Sequence, residues 1–125
     1  MNQNCIVPRS ILVVDDEEYV CDAIRMLLSL DGHDVATAHN GPEALDLFNQ
    51  RAFDVVITDY SMPVMKGDEL AAAIKLKNPM QPIVMITAYV EALTGGKTSL
   101  SGIDVLVSKP FRLEQLREAI AEALA

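Results

Sequence analysis

Four short apolar runs, Ile11–Val14, Val55–Thr58, Ile83–Thr87 and Ile103–Val107, limit this chain to a small set of folds. Each run is rich in Val and Ile, and none alternates cleanly with polar residues. A strand with one wet face alternates, whereas a strand covered on both faces does not. The runs therefore point to a parallel sheet buried between two layers of helices. A weaker fifth strand is expected at Asp34–Ala38. Between the runs the apolar period becomes helical. Val20, Ile24, Leu27 and Leu28 share one stripe, as do Leu45 with Phe48, and Leu70 with Ile74 and the stem of Lys77. Leu113, Leu116, Ile120 and Leu124 form the clearest stripe. Gly32 stands where a first helix needs a left-handed residue after its end. Asn40, with Glu43 three residues on, reads as the start of a second helix. The alternation of strand and helix predicts a three-layer α/β domain.

Two parts of the chain fall outside that pattern. Residues 1–9 read as a flexible lead-in, leaving 10–125 as one domain. Tyr89 to Gly102 should hold the fourth helix, yet it contains Gly95-Gly96, Thr94, Thr98, Ser99 and Ser101, which are poor helix-interior residues. A short, frayed or displaced fourth helix is expected there.

Composition narrows the function. With a formal net charge of −8 and no run of Lys or Arg, the chain lacks the positive patch that nucleic-acid phosphates require. No apolar run approaches a membrane span, and the polar start does not resemble a signal peptide. The two cysteines, Cys5 and Cys21, form neither a disulfide framework nor a zinc site. A soluble, cytoplasmic protein is the reading. His33 and His39 flank the weak second strand and are read as surface residues. Gly95-Gly96-Lys97-Thr98 has the tail of a phosphate loop but no upstream Gly at the required spacing.

Open parallel α/β sheets bind ligands beyond the carboxyl ends of their strands. Asp15 and Asp16 stand there after the first strand, Asp59 after the third, Thr87 at the end of the fourth, and Ser108-Lys109-Pro110 after the fifth. Taken singly, each has an ordinary role. Asp15 and Asp16 would cap a helix, Asp59 would begin a turn, Thr87 would be a β-branched strand residue, and Lys109 would be a solvated cation. Taken together, they gather carboxylates that repel each other and require compensation. A hard divalent cation such as Mg²⁺ supplies it, and Lys109 adds further positive charge. No Ser-His-Asp arrangement accompanies them. A metal, a carboxylate nucleophile, a hydroxyl and a cation suit phosphoryl transfer to a carboxylate.

Four segments carry a family resemblance: Ile11-Leu12-Val13-Val14-Asp15-Asp16-Glu17; Asp54 through Asp59-Tyr60-Ser61-Met62-Pro63 to Gly67; Ile86-Thr87-Ala88; and Ser108-Lys109-Pro110-Phe111. In this order they resemble the response-regulator receiver domain of two-component signalling, over residues 10 to 125. The resemblance implies a flavodoxin-like doubly wound sheet of five parallel strands in the order 2-1-3-4-5. It implies Asp59 as phosphoacceptor, receiving a phosphoryl group from a sensor histidine kinase or a phosphotransfer protein. Asp16, Asp59 and the backbone carbonyl of Ser61 would ligate Mg²⁺ (or Mn²⁺), with Asp15 acting through a water. Lys109 would pair with Asp59 and then with phosphoryl oxygens. Thr87 would donate its hydroxyl, and the small Ala88 would leave room for that approach. The Lys109–Pro110 bond is expected to be cis, and Gly67 to stand at a backbone turn entering the third helix. A receiver dimer is a further expectation of this class, while direct nucleic-acid or membrane partners are not. The implied protein is a signalling switch rather than an enzyme with its own substrate, with its output supplied by a partner or a larger regulator.

One position, Leu106, departs from the family pattern. Receivers often carry Tyr or Phe three residues before the site lysine, and that ring rotates when the threonine moves. An aromatic switch is excluded here, so the readout is expected to differ. Two other classes fit some of the residues. A phosphatase of the haloacid-dehalogenase type also uses Asp, Mg²⁺, Thr or Ser, and Lys, but its nucleophile follows the first strand with a second Asp two residues later. Here Ser61 stands two residues after Asp59. A degenerate, binding-only receiver would not need the full acidic set.

Overall fold

The computed structural model describes residues 7–88 and 102–125. Five strands, β1 (Ser10–Val14), β2 (Asp34–Ala38), β3 (Val55–Asp59), β4 (Ile83–Thr87) and β5 (Val105–Ser108), form one sheet in the order β2-β1-β3-β4-β5. Every neighbouring pair is parallel. The helices among the described residues are α1 (Glu18–Leu30), α2 (Gly41–Gln50), α3 (Gly67–Lys77) and α4 (Leu113–Leu124). None is long and apolar enough to cross a membrane. The expectation of an irregular helix at Tyr89–Gly102 falls, apart from Gly102, outside the described residues.

The unbroken apolar runs follow from the two-sided core. Ile11 and Val13 face one layer with Cys21, Ile24, Leu28, Leu116 and Ile120 of α1 and α4. Leu12 and Val14 face the other with Ala44, Leu70, Ala71 and Ile74 of α2 and α3. Successive side chains alternate between faces, and both faces are dry, so both must be apolar.

Local signals place the helix ends. Gly32 has φ +90, and α1 closes with Gly32 N–H donating to Ser29 O at 2.9 Å and His33 N–H to Leu28 O at 3.3 Å. This pair of bonds is the Schellman arrangement. Asn40 Oδ1 accepts from Glu43 N–H at 2.8 Å at the start of α2.

Three expectations are corrected. β5 begins at Val105 rather than Ile103, because the backbone N–H of Asp104 binds Ile83 O and its carboxylate takes Ile83 N–H, so the ladder starts at Val84 with Val105. His33 is buried, not on the surface, because its ring is drawn against the chain entering β1 and accepts Arg9 N–H at 2.9 Å. Lys77 is exposed; Lys75 is the lysine of α3 that lies in, with its stem against Gly102 and its Nζ 3.3 Å from Asp104.

Candidate functional site

The parallel ladder sets Val14 beside Thr58, Asp59 beside Ile86, and Thr87 beside Ser108. Residues far apart in sequence thus arrive at one edge. Asp15 follows β1 and is buried, Asp59 ends β3 and is buried, and Asp16 is exposed. Carboxylate oxygens of Asp15, Asp16 and Asp59 lie within 4.8 Å of one another. Lys109 Nζ reaches Asp59 Oδ1 at 3.0 Å and Asp15 Oδ2 at 3.7 Å. Lys109 N–H in turn donates to Thr87 O at 2.9 Å, which ties the lysine's backbone to β4. The Lys109–Pro110 bond is cis.

The site opens as a shallow cavity of about 300 Å³, lined by Asp16, Glu17, Asp59, Ser61, Ala88 and Lys109. The sequence reading thus finds Asp15, Asp16, Asp59 and Lys109 gathered and Ser61 on the wall. Thr87 ends β4 and is 1% exposed, and its neighbour Ala88, not Thr87 itself, lines the cavity. Glu17 is the residue that reading missed. It is the N-cap position of α1 and makes no side-chain cap bond. Its carboxylate accepts from Tyr19 Oη–H at 3.1 Å, while its backbone N–H donates to Asp15 Oδ1 at 2.9 Å. Asp15 is therefore held by the helix entrance without being its cap. The only sequence signal for Glu17 was its place directly after the acid pair.

The loop after Asp59 is tightly drawn. Gly67 N–H donates to Tyr60 O at 2.9 Å, and a Cβ on Gly67 would overlap the Asp59 carbonyl oxygen. Gly67 is needed for this close approach rather than for a left-handed turn. Val64, at φ 74, is the strained residue of the loop, spanned by Met65 N–H donating to Pro63 O at 2.8 Å.

Electrostatics set the cluster apart. Burial, with the charges of Asp59 and Asp16 adding to it, pushes the Asp15 carboxyl from 3.8 to about 6 against the opposing Glu17 N–H and Lys109. Burial also raises Asp59, although the Lys109 hydrogen bond and charge oppose it. Burial disfavours the charge on Lys109, but its bond to Asp59 and the charges of Asp59 and Asp15 outweigh this and raise its pKa. Among the described residues, Asp15 and Asp59 thus share one ammonium while Asp16 has no ion pair, and the cluster keeps excess negative charge. An all-oxygen donor set with an open side fits a hard divalent cation.

A family model described as the response regulator receiver domain matches residues 11–121. The transcriptional regulatory protein ZraR of Klebsiella oxytoca is 39% identical over 116 residues, covering 92% of this chain and 26% of that protein. The cyclic di-GMP phosphodiesterase of Thermotoga maritima is 35% identical over 115 residues, covering 92% of this chain and 31% of that protein. The chain therefore spans under a third of the length of these curated relatives. Among solved structures, the response regulator protein TrrA from Thermotoga maritima, in complex with Mg²⁺-BeF, matches with a TM-score of 0.84 at 34% identity, over 93% of this chain and 99% of that one.

Proposed function

The chain belongs to the response regulator receiver domain family, and on that premise we propose that Asp59 is its phosphoacceptor, loaded by a histidine kinase or a phosphotransfer protein. The observation that carries this reading is the buried Asp59 carboxylate, 3.0 Å from Lys109 and within 4.8 Å of two further acids. A carboxylate oxygen of Asp59 forms the new P–O bond as the P–N bond of a phosphohistidine breaks. The electron pair leaves with the imidazole, which takes up a proton. Phosphoryl transfer of this kind needs positioning and charge neutralisation rather than a general base.

Each residue has a part in that step. Lys109 offsets the charge of Asp59 and then meets the phosphoryl oxygens. Thr87 supplies a hydroxyl to the same group from the end of β4, and Ala88 leaves room for it. Asp16, Asp59 and the backbone carbonyl of Ser61 would hold Mg²⁺ (or Mn²⁺), with Asp15 contributing through a water. Bound there, the cation relieves the repulsion among the acids and neutralises oxygens of the transferred group.

The same segment is shared by a transcriptional regulator and a phosphodiesterase, so it supplies what those proteins have in common, namely reception of a signal. We therefore read residues 10–125 as a switch, not as an enzyme with its own substrate. The conformational change passes to a partner or a covalently attached output unit, in the cytoplasm where kinase and ATP meet. With Leu106 where an aromatic ring is common, that change runs through aliphatic packing.

Intact-mass spectrometry after incubation with Mg²⁺ and acetyl phosphate tests the reading. The expected result is one hydroxylamine-labile phosphoryl group on the wild type and none on Asp59→Asn. An equally labelled Asp59→Asn variant would overturn it, as would a folded, Mg²⁺-binding wild type that neither acetyl phosphate nor any histidine kinase labels.

A further inference from the structure

A second cavity, of about 350 Å³, opens at the other end of the sheet, between the chain entering β1, the turn from α1 to β2, and the last turns of α4. Arg9 and His33 line it together with Arg117, Ile120, Ala121 and Leu124, the last four all from α4. In a chain of net charge −8, a cavity with three basic side chains in its lining runs against the general balance.

These three basic groups are not equivalent. Arg117 places Nε 2.8 Å and Nη2 2.7 Å from the two oxygens of Asp31, so its charge is already answered. His33 accepts Arg9 N–H on Nδ1 at 2.9 Å, and burial holds the ring below its usual pKa. The neutral ring therefore carries its proton on Nε2, and no hydrogen bond within the described residues uses that donor. Among the described residues no ion pair engages the guanidinium of Arg9. Among the described residues the cavity thus offers one positive charge without an ion pair, one ring N–H without an acceptor, and the apolar side chains of α4.

We propose that this cavity binds a small organic monoanion, a carboxylate joined to an apolar body. The carboxylate would sit between Arg9 and His33 Nε2–H, and the body would lie against Ile120, Ala121 and Leu124. Charge-assisted hydrogen bonds from a guanidinium suit a carboxylate, and the volume lies within the range of small-molecule sites. A single cation without an ion pair among the described residues matches a single negative charge. A polyanion would meet Asp31 and Asp54, whose charges both act on His33.

The test is a titration of the full chain, followed by amide NMR, with octanoate, octanol and octylamine as probes. Octanoate is expected to shift the amides of His33 and of Ile120–Leu124 saturably, and octylamine to leave them unmoved. Arg9→Gln should weaken octanoate about tenfold or more, the loss of one charge-assisted contact. Ala121→Phe, which fills the cavity from an exposed position, should abolish binding. Octanol binding as tightly as octanoate, or Arg9→Gln binding octanoate unchanged, would overturn the proposal. Both variants should still accept a phosphoryl group from acetyl phosphate, so failure of this site and failure at Asp59 are separately visible.

Discussion

Aspartates stand at both ends of the sheet, and they are treated in opposite ways. At the amino end each has its own donor. Asp54 accepts Ser10 N–H at 2.7 Å, Asp104 accepts Ile83 N–H at 2.8 Å with Lys75 nearby, and Asp34 takes Arg51 at 2.8 Å. Asp31, in the turn entering β2, is gripped by Arg117. At the carboxyl end, among the described residues, Asp15 and Asp59 share a single lysine and Asp16 has no ion pair, and two of the three acids are buried. A carboxylate with a fixed partner ties the fold together. Carboxylates that outnumber their cations are a cost to the fold, and such a cost is retained where charge must arrive from outside.

The largest effect is expected from worsening the imbalance. Lys109→Gln removes the ammonium that pairs with Asp59 and Asp15 and should slow labelling of Asp59 by acetyl phosphate about 100-fold, the usual loss when one charge-stabilising group leaves such a site. Unchanged labelling would mean that the pairing at 3.0 Å has no part in the transfer. Relieving the imbalance should do the reverse to stability. The Asp15 carboxyl titrates near 6 in the folded chain against 3.8 ordinarily, so between those values the folded state binds more protons than the unfolded one. Without divalent cations, stability should therefore fall as pH rises through that window, by roughly 1–3 kcal/mol. Asp15→Asn keeps an oxygen for Glu17 N–H and removes the charge. In denaturant titrations at neutral pH it should be about 1–2 kcal/mol more stable than the wild type, with a flatter pH profile. A less stable Asn variant would break the comparison.

How far all this was legible depended on the range of the interaction. Ile11–Val14 and Ile83–Thr87 announced themselves because burial on both faces forces an apolar residue at every position. Gly32 and Asn40 were legible because a cap is decided within a few residues. Asp59 and Lys109 lie fifty positions apart, yet the rule that parallel strands deliver their carboxyl ends to one edge was enough to bring them together. His33 was not legible, because its burial depends on the backbone of Arg9, twenty-four residues away. The start of β5 was missed for a similar reason. Ile103 reads as strand by composition, but Asp104 binds Ile83 from both its backbone and its side chain and holds Ile103 outside the ladder. Distance alone is therefore not the obstacle. Contacts that follow from topology can be anticipated, and contacts that depend on one side chain's aim cannot.

The amino end should respond to the same kind of edit with the opposite sign. Asp104→Ala leaves Ile83 N–H without its side-chain acceptor and Lys75 without its ion pair. A loss of about 1–2 kcal/mol is expected in the same denaturant titrations, the cost of stranding a partly buried donor. Labelling of Asp59 should be unaffected. A stability gain like that of Asp15→Asn would mean that acids at this end are also surplus.

The smallest effect, and the sharpest contrast, is expected at Asp31. Its hydrogen bond to Arg117, with that residue's charge, lowers its pKa below the usual 3.8. The pair's contribution is therefore fully present above the ordinary carboxylate value and disappears as pH falls through the lower, folded one. This is the reverse of Asp15, whose buried charge weakens the fold as pH rises. The Arg117 side of the pair is open to solvent, which screens it, although the Asp31 side chain is only 6% exposed, so Arg117→Gln should lower the Tm at neutral pH by about 3 °C. Thermal melts of wild type and variant should converge once pH has fallen through the lowered carboxyl pKa of the folded state, below which Asp31 is protonated in both. A gap that persists there would show that Arg117 acts through the packing of its stem on α4. A variant more stable than the wild type at neutral pH would place Asp31 with the surplus acids of the other end.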